Sequence, residues 1–141
     1  MKKVTQLAVT AAALAALTIG TVATRAEETT DAFRGPALAS LKGKTIAYLP
    51  ISLGFDLAQA WGGVVKTEAL RYGMNFKAQD PNWVTSAMAQ GMTSLIAEHP
   101  DVIVTQNPDV QSLARLLKQA NAAGIAVIQM NMQGAVQTDA Y

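Results

Sequence analysis

The chain has 141 residues, with 11 Lys and Arg against 10 Asp and Glu, one His and no Cys. This length fits one domain, and the near-neutral charge leaves no basic footprint for nucleic acid. With no cysteine there is neither a disulfide framework nor a thiol nucleophile.

The first segment reads as an export signal. Lys2 and Lys3 precede Leu7 to Ala23, an almost uncharged run rich in Ala, Leu and Thr, and small residues at Ala23 and Ala26 come just before Glu27 and Glu28. A positive start, an apolar stretch and a small-residue cleavage site, in that order, mark a secretory signal peptide over residues 1–26. Cleavage after Ala26 is preferred, with Ala23 as the other choice. Removing residues 1–26 leaves 115 residues, with eight Lys and Arg against ten Asp and Glu. The exported chain is therefore slightly acidic. Residues 27–44 lack periodicity and read as a linker. Residues 45–141 read as the folded unit.

Within that unit strands and helices alternate. Thr45 to Leu49 is a short apolar run. Leu57, Ala60, Trp61, Val64, Val65, Ala69 and Tyr72 then recur at helical spacing up to Gly73, a C-terminal cap. Asn75 to Ala78 alternates weakly, as an edge strand does. Val84 to Ile96 repeats the helical pattern and stops at His99-Pro100. Val102 to Val104 is β-branched, Val110 to Ala120 is amphipathic up to Gly124, and Ile125 to Ile128 makes a fourth strand. Such alternation predicts an α/β fold: a doubly wound parallel sheet of strand order 2-1-3-4 with helices on both faces.

The strand-to-helix joints hold the polar and aromatic residues, and in an open parallel sheet all of them lie on the carboxyl edge, where ligands bind. In the first joint, Phe55 offers a flat apolar face to a sugar ring and Asp56 accepts hydrogen bonds from hydroxyls. Asp56 with Gln59 also has capping-box spacing, so a helix cap alone accounts for it and is the preferred reading over a ligand contact. Asp80, Asn82 and Trp83 form either a turn with a packed aromatic or a ligand wall. Asn107-Pro108-Asp109 reads as an N-cap, a first-turn proline and a dipole-facing acid, or as a second set of contacts. Asn131 has no evident capping job. The ligand-binding candidates are thus Phe55, Asp56, Asp80, Asn82, Trp83, Asn107, Asp109 and Asn131.

Phosphate binding is disfavoured, because Gly54 is the only glycine in the first joint and there is neither G-x-G-x-x-G nor G-K-[ST]. Catalytic residues are absent from the expectation: the sole histidine, His99, lies on the opposite edge, and a serine nucleophile would have no base at the rim. The acids are scattered, so no metal and no cofactor is expected.

The segments "GMTSLIAEHPDVIVTQNPD" and "ANAAGIAVIQMN", within Lys44 to about Gly134, resemble the first lobe of periplasmic sugar-binding proteins of the ribose-binding type, the substrate-binding subunits of ABC importers. The resemblance implies a non-enzymatic solute-binding subunit, located in the periplasm, that binds a sugar or polyol and delivers it to an inner-membrane permease. It also implies two lobes, of which this chain carries the first. Where ribose-type members often end the fourth strand with an Asp-Arg pair, the sequence reads Asn131-Met132, and their double aromatic is reduced to Phe55. Two other readings are a module presenting a ligand to a membrane receptor or sensor kinase, and a small exported enzyme of flavodoxin-like fold.

Overall fold

A computed structural model describes residues 34–132 and Gly134. The chain order is α1 (Arg34–Ala39), β1 (Thr45–Leu49), α2 (Asp56–Arg71), β2 (Asn75–Ala78), α3 (Thr85–Glu98), β3 (Val102–Gln106), α4 (Ala114–Ala122) and β4 (Ala126–Met130). All strand pairs are parallel, in the order β2-β1-β3-β4. That is the order expected from right-handed crossovers. The proposed signal peptide lies outside the described residues.

Helix ends follow from local chemistry. After α2, Gly73 takes φ +72°, which costs glycine nothing, and its N–H reaches the Leu70 carbonyl while Met74 N–H reaches that of Ala69. After α4, Gly124 and Ile125 bond back to Asn121 and Ala120 in the same way. These are two Schellman closures, and each hands the chain directly to the next strand. Helix α3 ends instead on His99 in the left-handed conformation, with Pro100 barring continuation.

Three boundaries differ from the sequence reading. A short helix, α1, occupies part of the segment read as linker. Helix α4 starts at Ala114 rather than near Val110, because residues 107–113 form turns of their own. Strands β3 and β4 extend two residues further toward the rim than their apolar runs. The added residues are polar or flexible, and only strand pairing reveals them.

Side chains alternate across each strand, so every strand serves two faces. Ala47, Leu49, Ile103 and Val127 pack with Met88, Met92 and Leu95 of α3 and with Leu116, Leu117 and Ala120 of α4. This is the main core. On the other face the buried Tyr48 ring lies beneath α2 and its hydroxyl donates to the Ala58 carbonyl at 3.0 Å. At the amino edge, Asp101 accepts from Lys44 Nζ at 2.8 Å and from Thr45 N–H at 2.7 Å, tying β1 to β3.

The contact of α2 with Tyr48 leaves no slack. A Cβ added at Gly62 would stand 2.7 Å from Tyr48 Cε1, whereas one at Gly63 would meet nothing. Overpacking costs about 1–3 kcal/mol, more than the roughly 1 kcal/mol that Ala gains over Gly in a helix. Urea unfolding is expected to show Gly62→Ala less stable than the parent and Gly63→Ala more stable. Equal gains from both would contradict this packing.

Candidate functional site

The carboxyl edge is organised around the loop that follows β1. Thr105 Oγ1 donates to the Leu49 carbonyl at 3.1 Å, and the Ile51 N–H donates to Gln106 Oε1 at 3.1 Å. Both β3 side chains are buried. The chain leaves β1 toward one face through α2 and leaves β3 toward the other through α4, so this is the switch point where an open parallel sheet forms its crevice. Gln106 occupies the base of that crevice.

A second clamp joins the loops after β1 and β2. Asp80 Oδ1 accepts from Leu53 N–H at 3.0 Å and from Asn82 N–H at 2.8 Å, while Trp83 N–H donates to the Ile51 carbonyl at 3.0 Å. These bonds hold Asn82 at φ +48° and Trp83 at φ +65°. For a non-glycine residue the left-handed region costs roughly 1–2 kcal/mol, a cost these bonds offset. The reward is placement: the Trp83 ring stands 61% exposed at the rim, 5.0 Å from Phe55 at an interplanar angle of 35°. The two rings make an apolar corner.

Asp56 is the first residue of α2, not its cap, and no side chain caps this helix. Gln59 reaches back to the Leu53 carbonyl at 2.9 Å instead. The capping-box reading is therefore corrected: Asp56 is exposed in the first turn, where a negative charge suits the helix dipole. The structure thus brings Phe55, Asp56, Asp80, Asn82 and Trp83 together. Of the two acids, Asp80 is committed to backbone amides and Asp56 is open to solvent.

The remaining candidates separate. Asp109 closes its own turn, with its carboxylate accepting from Gln111 N–H at 2.7 Å, from Ser112 N–H at 2.6 Å and from the Ser112 hydroxyl. Pro108 therefore does not open a helix. Asn107 is only 1% exposed and points inward: Nδ2 donates to Gln129 Oε1 at 2.6 Å and to the Met132 carbonyl at 3.0 Å. Gln129 Oε1 also accepts from Gly134 N–H at 3.0 Å. Asn107 thus shapes the end of β4 and, through it, Asn131, which sits exposed at φ +72°. The sequence reading missed Gln106, Gln129 and the buried Ser52. Only Gln129 carried a signal, a polar residue inside the apolar run of β4; Gln106 stands among polar neighbours and Ser52 lies in the loop past β1.

No Lys or Arg lies within residues 50–56, 79–84, 107–113 or 130–132, which together carry three aspartates. The rim is therefore acidic. No group of three or more His, Cys, Asp or Glu with metal-binding geometry exists among the described residues.

Bonds from the Leu53 and Asn82 amides hold the Asp80 carboxyl below its ordinary value of 3.8. A lowered value means that the clamp contributes fully above that pH and is lost as pH falls through the folded-state value. The amide NMR signals of Leu53 and Asn82 are expected to move together on acidification below 3.8. Asp80→Ala should remove that joint response. Amides that hold still down to about pH 2 would contradict the clamp.

A family model described as "Periplasmic binding protein domain" matches residues 46–141. Among solved structures, an ABC sugar transporter subunit from Rhodobacter sphaeroides 2.4.1 is 28% identical, with a TM-score of 0.60 over 63% of this chain and 32% of the other. An ABC transporter solute-binding protein from Agrobacterium vitis with bound allitol is 27% identical, with a TM-score of 0.59 over 63% and 31%. One from Clostridium phytofermentas with bound L-rhamnose is 20% identical, with a TM-score of 0.62 over 66% and 29%, and supports the fold alone. The chain spans about one third of the length of these structures. Comparison with curated protein sequences gives no match. With its doubly wound sheet and the family match over most of its length, the chain belongs to the periplasmic binding protein domain family.

Proposed function

We propose that this chain is the solute-binding subunit of an ABC importer, taking an uncharged sugar or polyol at the carboxyl edge of its sheet and passing it to an inner-membrane permease. The observation that carries this reading is the Phe55–Trp83 corner beside the open carboxylate of Asp56. An aromatic face packs against the C–H side of a ring or alditol, and a carboxylate accepts strong hydrogen bonds from hydroxyls. The acidic rim disfavours phosphates and sugar acids. One of the similar structures, 27% identical, holds allitol, which is uncharged and rich in hydroxyls.

The reading is one of binding without turnover. Residues 1–26 act as a cleaved signal, which N-terminal sequencing tests directly: the exported chain begins at Glu27. Asp109, tied into its own turn, supports the rim without touching ligand, and Asn107 acts through Gln129 and the end of β4.

Tryptophan fluorescence checks the site, because Trp83 is exposed at it. Saturable change is expected with neutral sugars or alditols and not with sugar acids. Trp83→Ala and Asp56→Ala should each weaken binding about tenfold or more, equivalent to about 1.4 kcal/mol. Binding that survives both substitutions unchanged would overturn the assignment of the site.

A further inference from the structure

The backbone donors of the rim loops are taken. Ile51 N–H donates to Gln106 Oε1, Leu53 N–H and Asn82 N–H to Asp80 Oδ1, Gly54 N–H to Ser52 Oγ and Trp83 N–H to the Ile51 carbonyl. Beside the two rings, the open group is an acceptor, the Asp56 carboxylate. A hydroxyl both donates and accepts. A hydroxyl-rich solute therefore needs a donor from the protein as well. The side chains of Asn82 and Asn131 can donate, but both residues stand in solvent.

Gln106 supplies a donor of another kind. Side chains alternate along β3, and Val104 lies on the α2 face, where it meets Val64 and Val65 of that helix. Gln106 shares this face, the one on which Phe55 and Asp56 open α2. Its orientation is fixed. An N–H can only donate, so the atom that meets Ile51 N–H is the oxygen, and the NH2 group is turned away from the loop amide. Among the described residues, Asn107 Oδ1 is the only fully buried side-chain N or O without a partner, and Gln106 Nε2 bonds to no described group. That nitrogen is therefore not fully buried, although Gln106 as a whole is only 1% exposed.

Resting on the binding role set out above, we propose that Gln106 is a specificity-determining residue whose Nε2 donates to an oxygen of the bound sugar or polyol at the base of the crevice. An amide already held by Ile51 loses little freedom when the solute arrives. A site built to hydrogen-bond a hydroxyl strongly rejects the analogue that lacks it, because the buried donor is then stranded. The rings select an apolar face, and Gln106 selects an oxygen at one position beside it.

Side-chain NH2 NMR of the exported protein, titrated with allitol and then with neutral aldoses in turn, tests this directly. The Gln106 signals, assigned through bonds from their own backbone, are expected to shift saturably, with the dissociation constant that tryptophan fluorescence gives. Gln106→Glu keeps an oxygen for Ile51 N–H and, once ionised, has no donor. It should hold the Ile51 amide signal in place and bind at least about tenfold more weakly. A residue that merely braced the first loop would leave binding by this variant like that of the parent. If the variant does not fold, the side-chain titration of the parent decides alone. Binding by the parent with the Gln106 NH2 signals unmoved, or parent-like binding by folded Gln106→Glu, overturns this inference and leaves the site reading standing. A parent that binds none of these solutes overturns the site reading, and this inference with it.

Discussion

Strand β1 is hydrogen-bonded on both sides, and the rest of the molecule is arranged by what happens at its carboxyl end. There the chain turns toward one face while the chain leaving β3 turns toward the other, and the gap between them is spanned by the bond from Ile51 N–H to Gln106 Oε1. This bond is part-buried and gives the Ile51 N–H its acceptor. With the first loop fixed in that way, Asp80 can reach Leu53 and Trp83 can reach Ile51. The aromatic corner is the end of that sequence of constraints.

The backbone strain at Asn82 and Trp83 belongs to the same scheme. Left-handed conformations at two successive non-glycine residues persist only where surrounding bonds over-determine them. Here three bonds do so, and the outcome is a large aromatic surface held in solvent beside an open carboxylate. A rigid apolar wall costs little ordering when a ligand arrives. Such a wall suits the proposed capture of a small, heavily hydrated solute.

Much of the fold was legible in the sequence because its signals are local. The apolar run at Thr45 to Leu49, the glycines at 73 and 124 and the proline at 100 each state a boundary through their own chemistry, and the strand order follows from the handedness of the connections. The site was legible only in part. Phe55, Asp56, Asp80, Asn82 and Trp83 do come together, but Asn107 was readable only as a helix cap or a ligand contact, since its partner Gln129 lies 22 residues away. Neither Asp109 nor Asp56 keeps the role that spacing assigns to it. Asp109 closes a turn before its helix begins, and Asp56 starts a helix with no side-chain cap. Short polar motifs at a helix start fit a cap, a turn or a ligand contact equally well, and only the path of the backbone decides among them.

The most direct measurement is an amide NMR titration of the chain with a neutral hexose or alditol. The account predicts saturable shifts confined to residues 53–56, 82–83, Gln106 and the end of β4 near Asn131, with the surface of α3 and α4 around Thr93 and Arg115 unmoved. Shifts centred on that surface, or none at the rim, would contradict the placement of the ligand at the carboxyl edge.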